Sequence, residues 1–266
     1  AAYNLALAYD ALGRDREAAE AYRQALDLDP TNVQAYYNLG LIVAREGVRG
    51  EAVNLFEQAL DLDPDFAPAH YQLGVLYAER GDLEAARDAL GIAATLDPNN
   101  AQAQYQLGLV FNQLNNPVAA AERLAIAARL EPSNAIAHQQ MGAALVRTGN
   151  NRRAIEALEQ AIALDPEEPV NYYNLGIAYQ QEGLQEEAIS AYQDAIRRNP
   201  VFADAFYNLG DAFYQLQRYE EAIAVLRQAR SLFLGDRRPE QAQEVEEFLT
   251  ETVIPAQEAA QAAAQP

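Results

Sequence analysis

The sequence predicts an all-α fold, a solenoid of stacked antiparallel helix pairs, and three observations carry that prediction. Prolines fall at Pro30, Pro64, Pro98, Pro132, Pro166 and Pro200, always 34 residues apart. Two alanine ladders keep the same register, one from Ala18 through Ala52, Ala86, Ala120, Ala154 and Ala188 to Ala222, the other from Ala25 to Ala229. A further ladder, Leu5, Leu39, Leu73, Leu107, Met141, Leu175 and Leu209, is followed by glycine at every step but the first. A fixed period of this kind marks supersecondary units that bury their apolar faces only against neighbouring copies.

Each period reads as two helices. In residues 33–66, Tyr36, Leu39, Gly40 and Val43 recur at the spacing of one helical face. A turn follows at Gly47, and a second stripe runs through Ala52, Phe56, Ala59 and Leu60. Pro64 stops that helix because proline lacks the next amide donor and its ring clashes with the preceding turn. The same pattern places seven units at 1–32, 33–66, 67–100, 101–134, 135–168, 169–202 and 203–234. In the fourth, Asn115-Asn116-Pro117 spells the internal turn as an N-cap followed by proline at the first helical position. Alanine and glycine at the crossings let two backbones approach closely.

After the seventh unit, Gly235 to Arg238 form a turn and Pro239 opens a further helix. Ala242, Val245, Phe248, Leu249 and Val253 fall on one side of it, with Glu244, Glu247 and Glu251 opposite, as a cap requires. Residues 235–254 are therefore expected to cap the array, with Pro255 ending the helix and the Ala/Gln-rich tail at 255–266 frayed. The first helix, at 1–12, has no such cover. The chain begins at Ala1 and its one methionine is Met141, so a processed or excised piece of a longer protein is expected. Either a missing upstream segment or self-association would then cover the N-terminal edge.

Composition narrows the function. The formal charge is −20 and every cationic side chain is arginine. Nucleic acid and anionic membranes demand basic surface and are poor partners for such a chain. No apolar run approaches the roughly 20 residues that span a bilayer, so direct membrane insertion is not expected. The absence of cysteine removes disulfides, thiolate metal sites and cysteine nucleophiles. It fits a reducing compartment and also permits an oxidising one, so the compartment stays open, with the cytoplasm slightly favoured.

In residues 169–202 the period reads Tyr172, Leu175-Gly176, Tyr179, Ala188, Tyr192, Ala195 and Pro200. That order resembles the tetratricopeptide repeat, and the likeness extends over about residues 1–234. The first copy departs with Ala2 and Ala6 at the aromatic and glycine positions, and the last has Leu234 in place of proline. The resemblance implies a right-handed α-solenoid superhelix whose first helices line a concave, peptide-binding groove.

Little here points to catalysis, and no catalytic, cofactor or metal site is expected. His70 and His138 occupy the aromatic position of their units, 68 residues apart, and read as packing substitutes for tyrosine, with ligand or general base as the alternative. Asp61-Leu62-Asp63-Pro64-Asp65 begins like a calcium loop, but Phe66 and Gln72 stand where glycine and glutamate are needed. No phosphate-cradling loop, nucleophile elbow or H-E-x-x-H is present.

Candidate binding residues lie on the exposed face of the first helices. One row reads Tyr3, Tyr37, Tyr71, Tyr105, Gln139, Tyr173 and Tyr207, and the next Asn4, Asn38, Gln72, Gln106, Gln140, Asn174 and Asn208. Leu41 belongs to a mostly aliphatic row in which the seventh unit carries Asp211. Tyrosines offer large contact area at low entropic cost, and carboxamides both donate and accept, which suits the backbone of an extended peptide. The arrangement is similar to asparagine ladders in the family. Arg45 and Arg147 are the cations of this face, too far apart for a carboxylate clamp. Asp204 and Asp211 should make the seventh unit locally acidic and receptive to a basic or amine-bearing segment.

These residues predict a non-catalytic interaction scaffold or assembly factor holding partner polypeptides in the groove. Two alternatives stand beside it, a substrate-recruiting segment of a larger enzyme and a self-assembling scaffold.

Overall fold

The computed structural model describes residues 1–264, which hold helices and no strand. The helices fall into two compact units, one of Ala1–Glu131 and one that begins at Pro132.

The first unit consists of four helix pairs. They are α1 (Ala2–Ala11) with α2 (Asp15–Leu28), α3 (Val33–Arg45) with α4 (Arg49–Leu62), α5 (Ala67–Arg80) with α6 (Leu83–Leu96), and α7 (Ala101–Gln113) with α8 (Pro117–Leu130). The second holds α9 (Ala135–Arg147) with α10 (Asn151–Leu164), α11 (Pro169–Gln181) with α12 (Gln185–Arg198), and α13 (Ala203–Gln215) with α14 (Tyr219–Gly235). Beyond them come α15 (Pro239–Glu247), a π-helical turn at Phe248–Val253, and α16 (Ile254–Ala263). In each unit contacts run chiefly between consecutive helices, so each is an α-solenoid of antiparallel pairs.

Local chemistry sets the boundaries. Asn32, Asn100 and Asn134 each accept the backbone amide three residues on at 3.0 Å, and Asn116 accepts that of Ala119 at 3.2 Å. Each thereby satisfies one of the orphan donors of a helix start. The stretch that begins like a calcium loop serves the chain itself, because a carboxylate oxygen of Asp63 accepts the Asp65 amide at 3.2 Å. Asp29, Asp97 and Asp165 close the same Asx turn around their prolines.

The pairs pack at the Leu-Gly ladder. A Cβ on Gly40 would sit 2.7 Å from Phe56 Cε1, and one on Gly176 2.5 Å from Tyr192 Cε1. The glycines are there because the bulky residue of the second helix fills that space. Alanines such as Ala18, Ala52, Ala188 and Ala222 are fully buried at the same crossings.

At the C-terminus, Ala242, Val245, Leu249 and Val253 are buried and Phe248 half-buried, in the core they share with α14. The chain departs from the expected stop at Pro255 and from the expected fraying of the tail. It continues as α16 against α14, with proline in the first turn of that helix, where its missing amide removes no internal bond. The final two positions of the expected tail lie outside the described residues.

Candidate functional site

The candidate tyrosines are half-buried bridges, not freely solvated side chains. The Tyr37 ring meets Phe56 at 5.7 Å and Phe66 edge-on at 5.3 Å, spanning from its own helix pair to the start of the next. Tyr173 repeats the arrangement with Tyr192 at 6.1 Å and Phe202 at 4.8 Å. Tyr207 lies 6.2 Å from Phe248 and so leans on the C-terminal helices. Burial raises the phenol pKa of Tyr71, Tyr105, Tyr173 and Tyr207 above the ordinary value. This corrects the expectation that these rings merely face the groove: each is half-buried.

The amide row divides into two kinds. Asn38 Nδ2 donates to Tyr3 Oη and Asn208 Nδ2 to Tyr173 Oη, both at 3.3 Å, so one repeat's amide orients the tyrosine of the repeat before it. The amides of Gln72, Gln106 and Asn174 are half-buried and make no side-chain or backbone bond among the described residues. Their donor and acceptor capacity is left for a ligand or water. Leu41 is half-buried in the adjoining row, and Arg147 is exposed at the end of α9.

Asp211 sits in a polar chain that residue spacing did not reveal. Its carboxylate accepts Gln180 Nε2 at 2.5 Å and Gln215 Nε2 at 3.3 Å, while Gln180 Oε1 accepts the Tyr192 hydroxyl at 2.7 Å. Burial drives the Tyr192 phenol far above its ordinary range, with Tyr173 and Asp211 adding to the shift, so it serves as a fixed donor. The partners of Asp211 are neutral amides, so its negative charge is oriented without being neutralised.

Two other charges of this face are neutralised internally. Arg238 grips Asp204 with two bonds of 2.8 and 3.0 Å, which corrects the expectation that Asp204 and Asp211 jointly make an acidic pocket. Arg238 lies one period after Asp204, so the pairing was present in the register. Arg45 is likewise taken by Asp10 at 2.7 Å and Asp15 at 3.0 Å.

The histidines occupy a structural slot. His70 Nε2 lies 2.9 Å from the Pro64 carbonyl, His138 Nε2 3.2 Å from that of Pro132, and Tyr172 Oη donates to that of Pro166 at 3.1 Å. In each case the ring reaches back six residues to the proline that ends the preceding helix. Histidine replaces tyrosine there because both carry a flat ring with a donor at its far edge. At the N-terminal edge Leu5 is 48% exposed, whereas its counterparts Leu39, Leu73 and Leu107 are at most 5% exposed.

Family models described as tetratricopeptide or TPR repeats match residues 6–47 and 142–183, 43–110, and 173–242. Among solved structures, the chain is similar to YrrB, described as a TPR protein with an unusual peptide-binding site. The identity is 26% and the TM-score 0.68, over 70% of this chain and 96% of that one. It is similar to MamA protein at 27% identity and a TM-score of 0.58, over 65% of this chain and 94% of that one. A tetratricopeptide repeat protein from Parabacteroides merdae ATCC 43184 shares the fold at 19% identity and a TM-score of 0.56, over 92% of this chain and 96% of that one. No curated protein matches the chain.

Proposed function

We propose, from the premise that this chain belongs to the tetratricopeptide-repeat family, that it is a non-catalytic scaffold whose first-helix face holds extended segments of partner polypeptides. The observation that carries this reading is the amide row. Gln72 and Gln106 in the first unit, and Asn174 in the second, each stand beside a half-buried tyrosine with unused donors and acceptors. Such groups satisfy the backbone of a strand-like peptide without demanding its sequence, and preoriented tyrosines limit the entropy lost on binding. In the second unit, Asp211 adds a point of selectivity for a cationic side chain. The peptide-binding site named for YrrB is consistent with a peptide ligand here.

The test compares capture from the source lysate by the parent chain and by a Gln72→Ala, Gln106→Ala, Asn174→Ala variant. These changes leave the tyrosine packing intact, so circular dichroism should be unchanged. Partners held by the parent and lost by the variant are the expected result; equal retention by both contradicts this site.

The exposed Leu5 favours a second reading, in which the N-terminal edge associates with another helix pair, from this chain or another. Concentration-dependent sedimentation abolished by Leu5→Glu is its expected signature, and a single species at all concentrations contradicts self-association.

A further inference from the structure

Two junctions between helix pairs carry the same tyrosine–glutamate lock, which within the first unit is absent from the third–fourth junction and from the first–second, where Val43 and Arg23 hold its positions. Tyr77 Oη donates to Glu57 across the junction of the second and third helix pairs, and Tyr179 Oη to Glu159 across that of the fifth and sixth, both at 3.2 Å. Between the third and fourth pairs the same two positions hold Phe111 and Gly91. Phenylalanine has no hydroxyl to donate, and glycine has neither the carboxylate nor the bulk. An open cleft of about 610 Å³ lies there, against about 390 Å³ at the Tyr179–Glu159 junction.

The floor and walls of that cleft are Leu107, Phe111, Gly91, Ile92 and Leu96, with Ile92 44% and Leu96 37% exposed. Arg123 of α8 lines it, half-buried and with no ion pair or hydrogen bond among the described residues. Arg87, on the opposite wall, is held by Glu84 and Asp88. A half-buried guanidinium beside apolar surface gains most from a carboxylate, which forms charge-assisted, often bidentate bonds. Salt at physiological strength screens the repulsion between an acidic ligand and most of the chain's −20 charge beyond roughly 8 Å. Asp88, the carboxylate of the lining, is paired with Arg87.

We propose that this cleft is a second docking site, separate from the first-helix face, for a polypeptide segment carrying a bulky apolar side chain next to an aspartate or glutamate. The apolar side chain occupies the space over Gly91 and Phe111, and the carboxylate pairs with Arg123.

The missing lock supplies the test. The double variant Gly91→Glu, Phe111→Tyr rebuilds it, and a Cβ at Gly91 meets nothing within 4 Å, so folding and thermal midpoint should be retained. Short random displayed peptides are selected on the parent chain and counter-selected on this closed variant. Enrichment of peptides that pair an acidic residue with Leu, Phe or Ile is the expected result. A labelled synthetic peptide of the enriched sequence should then lose about tenfold or more in affinity on Arg123→Glu, as for a severed charge pair. It should keep its affinity on Gln106→Ala. Enriched peptides without an acidic residue, or peptides that bind the closed variant equally, overturn the proposal. So does the absence of enrichment, including a case where the parent alone takes up a fatty-acid probe and no peptide.

Discussion

Single residues decide how closely the helices approach and where polar groups end. Gly40→Ala places a methyl group 2.7 Å from Phe56 Cε1, and urea denaturation should show a loss of about 1–3 kcal/mol, the usual cost of overpacking. Gly91→Ala meets open space inside α6 and should instead stabilise by about 0.5–1 kcal/mol through helix propensity. Equal effects of the two would contradict the packing account. Tyr22 supplies a pH test. Its buried hydroxyl makes no well-formed hydrogen bond, and burial, with Asp10 adding and the nearby Asn38 amide opposing, pushes its pKa up to about 12. The folded state thus favours the neutral phenol. This contribution is complete below the ordinary phenol value near pH ~10 and is lost as pH rises through about 12. Tyr22→Phe should be neutral or mildly stabilising at pH ~7, and chemical denaturation along an alkaline series should show a flatter loss of stability than the parent. A steeper alkaline loss in the variant would contradict this assignment.

At the scale of elements, the period made the helix pairs legible in detail, because every apolar stripe, turn and stop recurs and supports the others. Asn116 before Pro117 caps its helix as the residues implied, and Ala242, Val245, Leu249 and Val253 are the buried side of the C-terminal helix. What periodicity conceals is side-chain direction. A row of tyrosines at one repeat position reads as surface, yet Tyr37 and Tyr173 each reach the second helix and the start of the next repeat. The Asn38–Tyr3 and Asn208–Tyr173 bonds join residues 35 apart, one more than the period, so no ladder displays them. Pro255 carried a strong stop signal, which fails because a π-helical turn leads into a new helix whose first turn tolerates proline. The C-terminal helices carry their own prediction. Leu249→Ala removes a buried side chain from the core shared with α14 and should cost about 2–5 kcal/mol. Fluorescent-dye binding should rise with the exposed apolar surface, and an unchanged urea midpoint would mean that this packing contributes little.

For the molecule as a whole, function rests on surface that packing does not use. Most of the negative charge lies on second helices, loops and the C-terminal helix, where it aids solubility and discourages polyanions. On the first helices of each unit charge is neutralised internally, Arg45 by Asp10 and Asp15 in the first and Asp204 by Arg238 in the second. What remains on offer is contact area, amide bonding and the single oriented charge of Asp211. Any candidate peptide that binds the first-helix face of the second unit should therefore weaken with Asp211→Asn when it carries Lys or Arg, by about two- to tenfold. A peptide without cations should show no change in the same titration. Such a pattern would place selectivity in the seventh helix pair of that unit.

The most direct measurement of the central claim is site-specific photocrosslinking of a captured partner. A benzophenone side chain is placed at Gln106 or Asn174 on the first helices, or at exposed Gln160 on the second helix α10. Crosslinks to the partner from Gln106 or from Asn174, with none from Gln160, are the predicted result. Crosslinks from Gln160 alone would contradict recognition by the first-helix face.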